Sequence, residues 1–191
     1  MDTKLDKILI LDFGSQYTQL IARRVREASV YSEIYSWDVD ASQIIEFKPK
    51  GIILSGGPES AFAKGSPKAT QEIFEMGIPI LGICYGMQTM TEQLGGKVLS
   101  SSHREFGHAQ INFDHESRLF GGIDEVDHLL DVWMSHGDRV EDLPHGFTSL
   151  ANSENSPLAA ICNIEKNFCL LYTSDAADDL LCVDLGGRRI I

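Results

Sequence analysis

The chain has 191 residues, of which 43% are hydrophobic and 23% charged, enough for one domain with a substantial core and too ordinary a mixture for a disordered polypeptide. Its formal net charge of −12 argues against nucleic acid as the main partner, because phosphate recognition needs clustered Lys and Arg. The longest apolar stretches, such as Ile78 to Cys84, fall far short of the roughly 20 residues that span a bilayer, and Met1 to Lys7 is charged, so a cytoplasmic protein with no membrane partner is expected.

Four cysteines, Cys84, Cys162, Cys169 and Cys182, are too few and too scattered for a disulfide scaffold and include no C-x-x-C pair. The six histidines form no H-x-x-x-H pair and no cluster with zinc spacing, so no metal site is expected.

Lys7 to Asp12 is an apolar run ending near Gly14, the pattern of a strand buried on both faces of a parallel sheet. Ser15 is placed to cap a helix in which Tyr17, Leu20, Ile21, Val25 and Ala28 recur at helical spacing. A second strand falls near Tyr31 to Tyr35, and Asp40 is placed to cap a short helix carrying Ile44, Ile45 and Phe47.

Gly51 to Ser55 reads as another buried strand running into the turn Gly56-Gly57-Pro58, whose glycines let backbone approach a ligand closely. Ser66-Pro67 then predicts a helix closed by Gly77. Ile78 to Cys84 is the next strand, and Met87 to Leu94 the helix behind it, ended by Gly95-Gly96. Beyond Lys97 helical periodicity fades, and strand-like runs appear at Phe106 to Phe113, His128 to Met134, Phe147 to Ala151 and Leu158 to Cys162.

Alternating β and α units predict an α/β fold: a three-layer, mostly parallel open sheet with helices on both faces, which the later strands extend or flank. No repeat, low-complexity segment or linker divides Met1 to Phe168.

Gly82-Ile83-Cys84-Tyr85-Gly86 has the G-x-nucleophile-x-G spacing of a nucleophile elbow, between a predicted strand and a predicted helix as that turn requires. Side chains at either glycine would collide with neighbouring backbone, while the strained central residue projects outward. A helix N-terminus also favours the thiolate, the nucleophilic form. A cysteine attacking a carbonyl needs donors for the developing oxyanion, and the N–H groups of Tyr85 and Gly57 are the natural pair. The bland alternatives are a small buried cysteine in a tight turn and a purely structural Gly-Gly-Pro loop.

Together, Ser55-Gly-Gly-Pro-Glu-Ser60 and Gly82-Ile-Cys-Tyr-Gly-Met-Gln88 resemble the class I glutamine amidotransferase domain, in a flavodoxin-like arrangement. Ile10-Leu-Asp-Phe-Gly-Ser-Gln-Tyr17 and Trp133-Met-Ser-His-Gly-Asp138 resemble the GMP synthase branch of that family more than its carbamoyl-phosphate, anthranilate or CTP synthase branches. The resemblance covers nearly all of Met1 to Phe168. It implies that Cys84 attacks the side-chain amide of glutamine, releasing ammonia and leaving a glutamyl thioester that water hydrolyses. It implies that Gln88 and the loop Ser135-His136-Gly137-Asp138 hold the amino-acid end of the substrate, with His136 as a binding element and not a base. It implies no cofactor in this domain. The partner it implies is an ATP-using synthetase domain, on the same or a separate chain, that binds magnesium and aminates xanthosine monophosphate to GMP. The longer enzyme is compatible with a homodimer.

The family's base is a histidine in a His-Pro-Glu segment expected after a strand beginning near Asn167-Phe168. Here the chain reads Cys169-Leu-Leu-Tyr-Thr-Ser-Asp, with no histidine after His145 and no glutamate after Glu165, so neither role can be assigned. The expected division is an incomplete amidotransferase domain over residues 1–168 and an anomalous tail over 169–191, resembling translated adaptor sequence more than a family segment. A strand at Cys169 to Tyr172 would be an accident of composition, and a sheet ending at Phe168 would expose an edge and leave the domain marginally stable. Without a base, turnover is expected to fall by several orders of magnitude. The alternatives are an inactive amidotransferase-like module that binds a metabolite or partner, and a cysteine hydrolase or chaperone of related fold.

Overall fold

Strand β1 (Lys7–Asp12) buries Leu9, Ile10 and Leu11 completely, which places it inside a sheet covered on both faces, as its unbroken apolar run requires. The computed structural model describes residues 6–172 apart from 115, 122 and 124–128, and of 101–107, 133, 135 and 136 the backbone only. Helix α1 (Thr18–Glu27), β2 (Tyr31–Ser36), α2 (Ala41–Phe47), β3 (Gly51–Leu54), β4 (Ile80–Ile83) and α3 (Tyr85–Gln93) follow in order. Then come β5 (Lys97–Phe113), β6 (Leu129–Asp142), β7 (Thr148–Asn152), β8 (Ala160–Asn163) and β9 (Phe168–Leu171).

The nine strands form one sheet in the order β2-β1-β3-β4-β9-β8-β7-β5-β6. A mostly parallel sheet is expected from the sequence; the observed one is mixed. β2-β1-β3-β4-β9 are parallel throughout, whereas β8, β7, β5 and β6 pair antiparallel. Short connections without helices join β7 to β8 and β8 to β9, and neighbouring strands so joined pair antiparallel.

Side-chain alternation divides the parallel strands between two cores. Ile10 and Ile53 face α1, packing on Ala22 and Val25. Leu9, Leu11, Ile52 and Leu54 face the other way, onto Ile44 of α2 and Met87 and Met90 of α3. Helices thus cover both faces, giving the three layers.

Several local expectations change in detail. Ser15 does not cap α1 directly; its hydroxyl accepts from the Tyr17 N–H at 3.1 Å, building a turn just upstream. Asp40 precedes α2 but contributes its backbone carbonyl, to Gln43 and Ile44 N–H, with no side-chain cap bond. The helix predicted from Ser66-Pro67 to Gly77 is reduced to a 3-10 segment at Gln71–Glu75. The reason lies in α3, whose side chains take that segment's backbone groups: Tyr85 and Thr89 hydroxyls donate to the Pro67 carbonyl, and Gln93 bonds both N–H and C=O of Ala69. Groups so engaged cannot join an i to i−4 ladder.

The expected boundary at Phe168 falls inside the sheet. β9 lies between β4 and β8, with Phe168 and Leu170 buried and Tyr172 4% exposed, so no edge is left at Phe168. The unbroken apolar run Phe168-Cys169-Leu170-Leu171 suits an interior strand whatever its origin. Residues 173–191, including Cys182, lie outside the described residues, as does His128, expected to open a strand that begins at Leu129.

Candidate active site

β1, β3, β4 and β9 run parallel, so their carboxyl ends share one edge, the edge at which open α/β sheets bind ligands. Phe13-Gly14, Ser55-Gly56-Gly57, Cys84 and Leu171-Tyr172 all emerge there. Ser55, wholly buried, fastens three of these exits: its N–H donates to Leu11, its hydroxyl accepts from the Phe13 N–H at 3.0 Å, and its carbonyl accepts from Gly86.

Cys84 sits between β4 and α3 with φ 49° and ψ −108°. A non-glycine residue there is strained by about 1–3 kcal/mol and persists only when its surroundings over-determine it. They do so here through three bonds: the Cys84 N–H donates to Leu171 at 3.0 Å, Gly86 N–H to Ser55 at 3.0 Å, and Gln88 N–H to the Cys84 carbonyl at 3.1 Å. A Cβ on Gly86 would overlap the Leu54 carbonyl, and one on Gly82 would press on Gly86 backbone at 3.0 Å. Both elbow glycines are therefore demanded by the close crossing of α3 over β3 and β4. The thiol is only partly buried.

Beside it lies the Gly-Gly-Pro loop. A Cβ on Gly56 would come 3.7 Å from that of Cys84, and one on Gly57 would lie 2.6 Å from the Phe13 carbonyl and 3.3 Å from the Tyr85 ring. Gly57 is thus wedged between Phe13 and Tyr85, whose rings pack at 5.3 Å. Tyr85 is 1% exposed and donates to Pro67 at 2.7 Å. Burial pushes its phenol above the ordinary range, so the ring is an anchor, and what it offers the site is its N–H. As first residue of α3, that N–H has no carbonyl one turn earlier to bond.

Asp138 draws the remaining motifs together. Gln88, 5% exposed, donates its amide to the Asp138 carbonyl at 3.1 Å, and the Ser60 hydroxyl donates to the Asp138 carboxylate at 2.5 Å. Ser135 to Asp138, expected as a loop, is part of β6, with Ser135 opposite Phe106, His136 opposite Glu105 and Asp138 opposite Ser100. Between those pairs β5 carries four residues, Ser101 to Arg104, against the single Gly137, a wide bulge that twists the hairpin. Among the described residues, a Cβ on Gly137 would meet nothing within 4 Å. The side chains of Ser135 and His136 lie outside the described residues.

Three contributors are not found by sequence reasoning. Ser60 and Ser55 are small polar residues inside a recognised motif, and only the fold shows what they bond. Tyr172 falls in the segment expected to be an anomalous tail, yet its hydroxyl accepts from the Val140 N–H at 2.7 Å. Burial raises this phenol far above its ordinary range, the Cys84 and Asp138 charges oppose its ionisation further, and the bond from Val140 acts against the shift.

Among the described residues no helix is long and apolar enough to cross a membrane, and no cluster of His, Cys, Asp or Glu could hold a metal ion.

Comparison with known proteins agrees with this geometry. Residues 9–170 match the family described as glutamine amidotransferase class-I. GMP synthase [glutamine-hydrolyzing] of Shewanella woodyi is 58% identical over 168 residues, covering 85% of this chain and 32% of the relative; that of Photobacterium profundum is 57% identical with the same coverage. The chain thus spans about a third of the length of the curated relatives it matches. Among solved structures, a protein of Thermoplasma acidophilum described as a GMP synthase subunit superposes with TM-score 0.76 at 29% identity, covering 87% of this chain and 82% of that one. A glutamine amidotransferase of Thermotoga maritima, at TM-score 0.64 and 19% identity over 87% and 74% of the two chains, shares the fold. The strained cysteine, the glycines that permit it and the match over residues 9–170 agree: the chain belongs to the class-I glutamine amidotransferase family.

Proposed function

We propose that this chain is the glutamine-hydrolysing unit of a GMP-forming enzyme, with Cys84 as its nucleophile. The observation that carries the reading is Cys84 at φ 49°, partly exposed at the sheet's carboxyl edge and held by three backbone bonds. The Cys84 sulfur attacks the carboxamide carbon of glutamine, and the N–H groups of Tyr85 and Gly57 receive the developing oxyanion. The tetrahedral adduct expels ammonia, and water cleaves the γ-glutamyl thioester to glutamate. Gln88, Asp138 and the backbone of Ser135 to Gly137 form the wall against which the amino-acid end of the substrate rests.

The ammonia is handed to a synthetase that binds ATP and magnesium and aminates xanthosine monophosphate. The Shewanella and Photobacterium relatives are about three times as long as the part this chain matches, which leaves room for such a unit. A cytoplasmic setting suits both the chemistry and a nucleophilic thiol, and a homodimer is an arrangement open to the longer enzyme.

No histidine follows His145 in the sequence, and β9 ends beside the elbow at Leu171-Tyr172. With no imidazole to assign there, the chain captures substrate but turns over slowly, lower by several orders of magnitude than a complete acid-base site. A binding module without chemistry would have no use for a strained elbow, which argues against that alternative.

A diazoketone analogue of glutamine tests the reading. One equivalent should attach at Cys84, as located by peptide mass analysis, and excess glutamine should suppress it. Modification spread over all thiols, or indifferent to glutamine, would refute the assignment.

A further inference from the structure

We infer that Tyr172 is a positioning residue of the Cys84 site, its hydroxyl tying the end of β9 to Val140 of β6 and so fixing the substrate-facing wall. This rests on the glutamine-hydrolysing reading above. Tyr172 follows Leu171, whose carbonyl accepts the Cys84 N–H at 3.0 Å, and its own N–H donates to the carbonyl of Ala159, just ahead of β8, at 2.9 Å. The chain is therefore clamped on both flanks at the level of the elbow. Tyr172 is 4% exposed, and its hydroxyl accepts from the Val140 N–H at 2.7 Å, two residues beyond Asp138.

Gln88 completes the link. Its side-chain amide donates to the Asp138 carbonyl at 3.1 Å, two residues before the Val140 amide that bonds the Tyr172 hydroxyl. Gln88 itself is one helical turn from the nucleophile, its N–H on the Cys84 carbonyl. The phenol thus joins the nucleophile's strand neighbour to β6. Because burial keeps it protonated at neutral pH, it does not act as the base for Cys84.

Y172F retains the ring and removes only the hydroxyl. Capture of the diazoketone glutamine analogue by Cys84 is followed as a function of concentration, beside the rate with iodoacetamide, which lacks an amino-acid end. The expected result is a half-saturating concentration raised about tenfold, the scale of one lost hydrogen bond, with limiting rate and iodoacetamide rate within about twofold. Equal slowing toward both reagents, or an unchanged half-saturation, overturns the assignment of Tyr172 while saturable wild-type labelling keeps the wider reading. Failure of the wild type to saturate overturns both.

A second measurement needs no substitution at Tyr172. In C84S, saturating glutamine should slow hydrogen exchange at the Val140 amide, since substrate presses on the wall this amide supports. Exchange at Val140 indifferent to glutamine overturns the assignment.

Discussion

The Ser60 hydroxyl donates to the Asp138 carboxylate at 2.5 Å across 78 positions of sequence, joining the Gly-Gly-Pro loop to strand β6 over the mouth of the site. Asp138 also receives Gln88 through its carbonyl, so one residue is fixed from two elements. A hydrogen bond to a charged group contributes about 1.5–3 kcal/mol, and partial exposure takes this one to the low end. Ser60→Ala should therefore raise the half-saturating concentration for capture of a glutamine analogue by about tenfold and leave the melting temperature within a few degrees. An unchanged half-saturation would show that Asp138 is held well enough by β6 alone.

The elbow glycines make a sharper prediction about folding. At Gly86 an added methyl would occupy the space of the Leu54 carbonyl, with Leu54 Cβ close by as well. Neither neighbour is the flexible end of a side chain, so α3 must lift off β3. Gly86→Ala should lower stability by about 3 kcal/mol or more, beyond the usual range for single substitutions, and denaturant unfolding would register it. Gly137→Ala is the control: among the described residues its methyl meets nothing within 4 Å, so stability should hold while substrate capture weakens.

This contrast bears on what the sequence can disclose. Glycines 82 and 86 and Cys84 are readable because a strand-to-helix elbow imposes its own spacing, a local constraint independent of the rest of the chain. The β1, β3 and β4 runs are readable because burial on both faces leaves no polar positions. The bond from Ser60 to Asp138 is not readable, since nothing local to either residue specifies a partner 78 positions away. The lost helix after Pro67 has the same cause, as side chains of α3 consume its backbone groups. β9 escapes for another reason: its composition invites weighing by origin, whereas a strand requires only a short apolar run and an open slot between β4 and β8.

The three described thiols differ in reactivity for physical reasons. Cys162 is 5% exposed, and burial pushes the Cys169 thiol up, with the nearby Cys162 adding to the effect. Cys84 is partly exposed and sits at the N-terminus of α3, whose helix dipole favours the thiolate form. Iodoacetamide at neutral pH should modify Cys84 at least tenfold faster than Cys162 or Cys169, as site-resolved mass analysis would reveal. Comparable rates at Cys169 would mean that the β8-β9 region opens readily.

Burial of the Tyr172 phenol makes stability depend on alkaline pH. Its folded-state pKa is raised above the ordinary value of 10.0, burial being the largest cause, so above pH 10 the unfolded chain loses this proton and the folded one keeps it. The native state then binds more protons than the unfolded state, and the slope of unfolding free energy against pH is negative. The contribution is complete below pH 10 and is lost as pH rises beyond it, by up to about 1.4 kcal/mol per pH unit for one fully protected phenol. Tyr85, raised by burial in the same direction, adds a smaller loss. Urea unfolding at pH 8, 9, 10 and 11 should show a plateau followed by a fall. Y172F, already weaker at pH 8 for want of the Val140 bond, should fall less steeply from pH 10 to 11. Parallel curves for the two proteins would mean that the hydroxyl meets solvent, contrary to its bond with the Val140 amide.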